Sequence, residues 1–267
     1  MPGYGKDIPV SPDSSSVDIP FVRAEGVSKR FGSIDAVSQA SFQVKAGDIF
    51  GLVGSDGAGK STLLRMAATM IRPSSGRILI DGLDVVDQRS QIKSLIGYMP
   101  QRFGLYQDLS VLENLDFFMD IFGIFGPERN VRRDRYLGFS NLLPFVNRLA
   151  GDLSGGMKQK LGLACVLVHQ PKLLLLDEPT NGVDPVSRKE FWDILFEMKK
   201  EGMTILISTA YLDEGEKCNQ LALMHKSKII EIDTPEAIKS HFQDLEEAMI
   251  HRINDIDKEL MHDRFGI

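Results

Sequence analysis

The sequence predicts an α/β protein built on a mostly parallel sheet. Two short, continuous apolar runs, KLLLLD (172–177) and MTILIS (203–208), suit strands covered on both faces. Helical patterns at 60–70, 155–169 and 186–202 alternate with strand patterns. A glycine-rich stretch, GSDGAGKST (54–62), stands between an apolar strand and a helix. The 267 residues are 43% hydrophobic and 25% charged, enough core for one large domain or two modest ones without disulfides or metals.

In chain order, residues 1–19 are rich in Pro, Ser and Gly and are expected to form a disordered leader without the apolar core of a signal peptide. From Phe21 the pattern is strand-like, and SFQVKAGDIFGLVG (41–54) predicts two short strands joined at Ala46-Gly47. GRILIDG (76–82) and SLIGYMP (94–100) predict further strands. Residues 109–151 have helical spacing and no strand signal, so a helical insertion, about 102–170 in all, lies between two strands of the sheet. The main domain is expected at 20–235. Residues 236–267, with LEEAMIHRINDIDKEL, form a helical tail or a linker. No apolar run approaches the ~20 residues that cross a bilayer; the nearest, FFMDIFGIFG (117–126), carries Asp120.

Charge and cysteines narrow the function. A formal net charge of −6 argues against a nucleic-acid partner, and the basic cluster RNVRRDR (129–135) is interrupted by acid and reads as a solvated helix face. The two cysteines, Cys165 and Cys218, make no metal-ligand pair and no disulfide framework, which points to a reducing compartment.

The chemistry sits first in GSDGAGKST, which fits G-x-x-x-x-G-K-[ST], the P-loop. Gly54, Gly57 and Gly59 let the backbone curl, so that successive N–H groups from Ser55, Asp56, Ala58 and Thr62 onward face phosphate oxygens. Lys60 reaches the β- and γ-phosphates, and the Ser61 hydroxyl is a magnesium ligand. LLLLDEP (173–179) supplies the matching carboxylates at the C-terminal end of a buried strand. Asp177 is placed to hold the magnesium shell, and Glu178 to polarise a water for in-line attack on the γ-phosphate. A second anion site starts the helix at DLSGGMKQK (152–160), where Ser154, Gly155 and Gly156 gather a hydroxyl and orphan backbone donors.

These motifs in this order resemble the ATP-binding-cassette (ABC) ATPases over roughly residues 21–235. The resemblance rests on Phe31, GSDGAGKST, Gln101, LSGG, LLLLDEP and GVDP (182–185). It implies a P-loop NTPase fold with an antiparallel β subdomain and an inserted α-helical subdomain, and it implies ATP and Mg²⁺. It also implies head-to-tail pairing with a second ABC ATPase unit, as homodimer or heterodimer, in which LSGG of one unit caps the γ-phosphate held by the other. Phe31 matches the aromatic that stacks on adenine, with Val37 nearby. Gln101 matches the residue that reaches the Mg²⁺ and the attacking water, and Asp184 matches the loop exchanged between units. In the family a histidine commonly follows the next strand; here Ala210 stands in that place, without a donor for the γ-phosphate.

Phrases such as GYMPQRFGLYQDLSVLENLDFF resemble ABC-2-type exporters of the tandem-ATPase, multidrug-efflux sort. The implied function is an ATP-hydrolysing subunit that energises export from the cytoplasmic side of the membrane, peripheral through transmembrane permease subunits. Phe103, Leu105, Tyr106, Phe117, Phe118 and Phe122 are candidates for contact with such a subunit, or for packing of the insertion. Two other functions compete: a non-transport soluble ABC ATPase, and a weakly hydrolysing regulatory half of an unequal pair.

Overall fold

The computed structural model describes residues 20–265, so the expected leader lies outside the described residues. In chain order the elements begin with β1 (Val22–Phe31), β2 (Ile34–Val44), β3 (Ile49–Val53), α1 (Lys60–Ala67), β4 (Ser75–Ile80), β5 (Leu83–Asp84), α2 (Arg89–Leu95) and β6 (Ile96–Met99). The insertion follows with α3 (Val111–Ile121), α4 (Pro127–Phe139) and α5 (Gly155–Leu167). Then come β7 (Leu173–Asp177), α6 (Pro185–Lys200), β8 (Thr204–Thr209), α7 (Leu212–Gly215), β9 (Gln220–His225), β10 (Lys228–Asp233), α8 (Pro235–Lys239) and α9 (Leu245–Phe265).

Two sheets result. The larger has the order β10-β9-β3-β8-β7-β6, parallel throughout except for β10 at its edge. The smaller, β2-β1-β4-β5, is antiparallel. The apolar runs work as expected of doubly covered strands. Leu174 and Leu176 of β7 join the core beneath α5 and α6. Leu173 and Leu175, pointing the other way, join the core shared with the small sheet and α1. Ile205 and Ile207 of β8 likewise oppose Leu206. Each fully buried side chain of this kind contributes roughly 1.5–3 kcal/mol.

Two expectations change in detail. The pair predicted at 41–54 exists, but β2 lies in the small sheet and β3 in the large one. Ser94 and Leu95 end α2 and are not the start of β6. The tail, expected as a helix or a linker, begins as a packed helix: Leu245, Ala248 and Met249 of α9 are buried with Val53, Leu221 and Ile238. Asp257 accepts hydrogen bonds from Lys226 (2.6 Å) and His225 (3.3 Å).

The insertion is anchored by fully buried Asn114, which accepts from the Tyr106 N–H and donates to the carbonyls of Leu109 and Ser110. Ser110 caps α3 in a reciprocal box with Glu113. The apolar stretch 117–126 is divided where α3 stops and Gly123 and Gly126 turn. Among the described residues no helix is long and apolar enough to cross a membrane.

Candidate nucleotide site

The P-loop and the start of α1 form one side of a pocket of about 400 Å³, lined by residues 56–62 with Gln101, Glu178, Ser227 and, from the small sheet, Ile34, Asp35 and Ala36. That size suits a nucleotide-sized ligand. Gly59 is required where the loop enters α1. Its φ is +107°, and a Cβ there would lie 2.4 Å from the Ala36 carbonyl oxygen.

Lys60 is buried and donates to the carbonyls of Gly54 (2.7 Å) and Ser55 (3.0 Å), while its ammonium pairs with Glu178 Oε1 at 3.0 Å. The other Glu178 oxygen accepts from Gln101 Nε2 (3.0 Å) and Asn181 Nδ2 (3.2 Å). The predicted catalytic trio of Lys60, Gln101 and Glu178 is therefore one connected cluster. Glu178 has φ +47°, a left-handed conformation that costs a non-glycine residue on the order of 1–3 kcal/mol unless its surroundings hold it. One restraint is direct: its N–H donates to the backbone and side-chain oxygens of Ser208.

Asp177 is fully buried at the end of β7. Its Oδ1 accepts from Ser61 (2.7 Å) and Ser208 (2.9 Å), and its Oδ2 from the Tyr98 hydroxyl (3.4 Å). Burial, and then the Asp177 charge, push the Tyr98 phenol up, which keeps it a donor. A hydroxyl beside a carboxylate is a hard-oxygen donor set of the kind magnesium takes together with substrate phosphates, so Ser61 and Asp177 fit that ion.

Phe31 is half exposed at the end of β1, available as a flat surface, with Lys29 over its ring at 5.0 Å. Val37 departs from expectation. It is 1% exposed and packs under Gly59, so it supports the loop, and Ile34 and Ala36 form the pocket wall instead.

Ser154, Gly155, Gly156 and Asp184 do not line this pocket. Ser154 caps α5 by accepting from the Met157 N–H, which leaves its own proton free to donate outward. The two glycines differ. Gly155 is exposed, and a Cβ there would meet nothing within 4 Å; Gly156 is buried, and a Cβ would lie 2.3 Å from Ser187 on α6. Gly155 faces outward, whereas Gly156 lets the two helices touch. Asp184 caps α6 through the N–H groups of Val186 and Ser187, which hold its carboxyl below the usual range, Ser187 most.

The profile of the ABC transporter family matches residues 37–181, more than half of the chain. The chain belongs to the ABC transporter family. Among the relatives of this ABC protein is YbhF of Escherichia coli strain K12, a probable multidrug ABC transporter ATP-binding protein. It is 48% identical over 219 residues, covering 81% of this chain and 38% of that protein. The chain thus spans well under half the length of that relative. The daunorubicin resistance ATP-binding protein DrrA2 of Streptomyces coeruleorubidus is 34% identical, over 82% of this chain and 68% of its own. A solved ATP-binding subunit of an ABC transporter superposes with a TM-score of 0.78 at 26% identity, covering 87% of this chain and 99% of that one. CbiO1 of Clostridium perfringens gives 0.76 at 27% identity, covering 93% and 99%.

Thr180, Ser208, Thr209 and Glu214, which cross-link the loops around Glu178, were not anticipated from sequence. Their only signal is position, within a few residues of the LLLLDEP and ILISTA ends.

Proposed function

We propose that this chain binds and hydrolyses ATP as the energising half of a composite site, pairing with a second ABC ATPase unit to drive export through transmembrane permease subunits. The observation that carries this reading is the separation of the two phosphate-binding features. Lys60, Ser61 and Glu178 converge on one pocket, while Ser154 and Gly155, exposed at the start of α5, lie outside its lining. A head-to-tail partner brings such a helix start onto the phosphates.

In this reading the P-loop N–H groups and Lys60 bind the β- and γ-phosphates, and Phe31 stacks on the base. Lys60 exchanges its pairing with Glu178 for the phosphates, which frees the carboxylate. Glu178 then accepts a proton from the attacking water, which Gln101 orients through the same contact it makes with Glu178 now. Ser61, Asp177 and Gln101 would hold a magnesium ion, which neutralises charge on the phosphate oxygens when bound. The relatives are named for multidrug transport and daunorubicin resistance, which supports a drug-like cargo; action from the cytoplasmic side through membrane partners belongs to the same proposal. Tyr106 and Phe122 are exposed and suit that contact, whereas Leu105 is buried and Phe103 and Phe118 pack on the core.

A second reading, a slow regulatory half, is favoured by one observation. Ala210 is exposed at the end of β8 without a donor side chain, and the ring of Tyr211 lies against Arg188 at 4.2 Å. Phosphate release by the purified chain, alone and with its permease partners, separates the two, with Glu178→Gln as the blank. Turnover that appears in neither preparation contradicts the energising role.

A further inference from the structure

Glu214 is the one fully buried carboxylate besides Asp177 among the described residues, and nothing in the reaction above uses it. It sits on α7, behind the site. Its Oε1 accepts from the Thr180 hydroxyl at 2.6 Å, and its Oε2 from the Thr209 hydroxyl at 2.7 Å. Arg188 Nε lies 3.4 Å from Oε1. Each partner belongs to a different segment. Thr180 is two residues beyond Glu178; Thr209 ends β8 beside Ala210; Arg188 is in the first turn of α6, four residues beyond Asp184.

The three ties have a common effect. Thr180 is held from below by Glu214, and its carbonyl accepts the Val183 N–H, so the turn 178–183 is pinned at its middle. Thr209 accepts from the Tyr211 N–H while donating to Glu214, which fixes the path of the chain through Ala210. Arg188 also pairs with Asp213 at 2.9 Å and lies over Tyr211, so α6 is joined to the same loop. A buried carboxylate with two hydroxyl donors and a guanidinium is fully partnered, which makes the network stiff. Left-handed backbone at a non-glycine residue persists only where surrounding structure over-determines it, and Glu178 has that backbone.

We infer that Glu214 is a positioning residue: its buried carboxylate ties the Thr180 turn to the end of β8 and to the helix behind Asp184, and so holds Glu178 in its left-handed conformation. The inference rests on the reading of Glu178 as the base. It gives the chain a physical link from the exposed Asp184 loop to Glu178 that does not pass through position 210.

The test uses three variants of the full chain. Thr180→Val keeps the shape of the side chain and removes one donor, Thr180→Ser keeps the donor, and Glu214→Gln removes the charge. Hydrogen exchange of the nucleotide-free protein decides first, because it needs no turnover. Amides in 178–183 should exchange at least ~10-fold faster in Thr180→Val and Glu214→Gln, with those of β7 and β8 unchanged and Thr180→Ser like wild type. Turnover in Thr180→Val should fall at least ~10-fold at saturating ATP, with nucleotide affinity within about twofold and Thr180→Ser restoring the rate. Unchanged exchange in 178–183 of Thr180→Val, or a rise spread equally over β7 and β8, overturns the inference whatever the rates do. Undiminished turnover in a folded Thr180→Val, where wild type hydrolyses ATP, overturns it as well. A wild type without hydrolysis counts against Glu178 as the base, and the exchange result still decides the role of Glu214.

Discussion

The two phosphate-facing regions of this chain are built on opposite principles. At the P-loop the charged side chains already have internal partners, Lys60 two carbonyls and Glu178, Asp177 three hydroxyls, while the first turn of α1 has no side-chain cap. At the start of α5 Ser154 caps the Met157 N–H, the N–H groups before it have no intrahelical acceptor, and Gly155 leaves the approach open. In the first region a ligand meets backbone donors only by exchanging partners with charged side chains. The second is an exposed surface with unmatched donors, complete only when something negative is brought to it. On the proposed reading, that asymmetry is what a half-site requires.

The largest expected effect breaks the paired region. Glu178→Gln removes the carboxylate from Lys60 and from the attacking water together. Turnover should fall ~10²–10⁴-fold, the range for a lost general base, while ATP-dependent association rises, measured by phosphate release and by sedimentation. Replacing Gly155 by leucine attacks the open region: association driven by ATP should be lost, with nucleotide binding to the single chain unchanged by fluorescence titration. Gly156→Ala sharpens the contrast between neighbours. Its Cβ meets Ser187 at 2.3 Å, so it should lower stability by roughly 1–3 kcal/mol in chemical denaturation. Ser187→Gly in the same chain should recover part of that loss. If the two glycine variants behaved alike, the division of labour within LSGG would fail. Ala210→His comes next. A donor added at the end of β8 should raise turnover by about tenfold or more, short of the ~10²–10³ attached to a fully aligned donor, because Tyr211 keeps its place on Arg188.

What sequence reasoning reached, and what it did not, divides along the same physical line. The strands of the parallel sheet were legible because continuous leucine runs have few alternatives, and the P-loop because its glycines and Lys60 must be consecutive in sequence. Asp177 and Glu178 were legible by their place after LLLL. Val37 was not, because whether an apolar residue faces a ligand or supports a loop depends on strand register, which β1 and β2 set through several irregular steps. The sheet change between β2 and β3 was hidden for a similar reason, since both read as ordinary strands. The difference between Gly155 and Gly156 required knowing where α6 passes. Glu214 was invisible because its partners lie 34 and 5 residues away, and one acid among the three of LDEGE reads as solvated surface.

The smallest effect tests whether a residue of the exposed region is committed to its own chain. Asp184 is exposed, yet its carboxylate accepts from the N–H groups of Val186 and Ser187 at the start of α6. Those bonds, the Ser187 one foremost, hold its carboxyl below the ordinary aspartate range. The sign follows: with the folded pKa depressed, the stabilisation is complete above the unfolded value and is lost as pH falls through the folded one. Asp184→Ala, which removes the cap, should therefore lower the thermal midpoint by about 2 °C at neutral pH. Asp184→Asn, which keeps a neutral acceptor, should lose less. The gap between wild type and Asp184→Ala should narrow as the pH is taken below about 4, where the carboxyl takes up its proton. A gap that widened on acidification would mean that the carboxylate is not held by α6, and that Asp184 is as unmatched as the donors of Gly155.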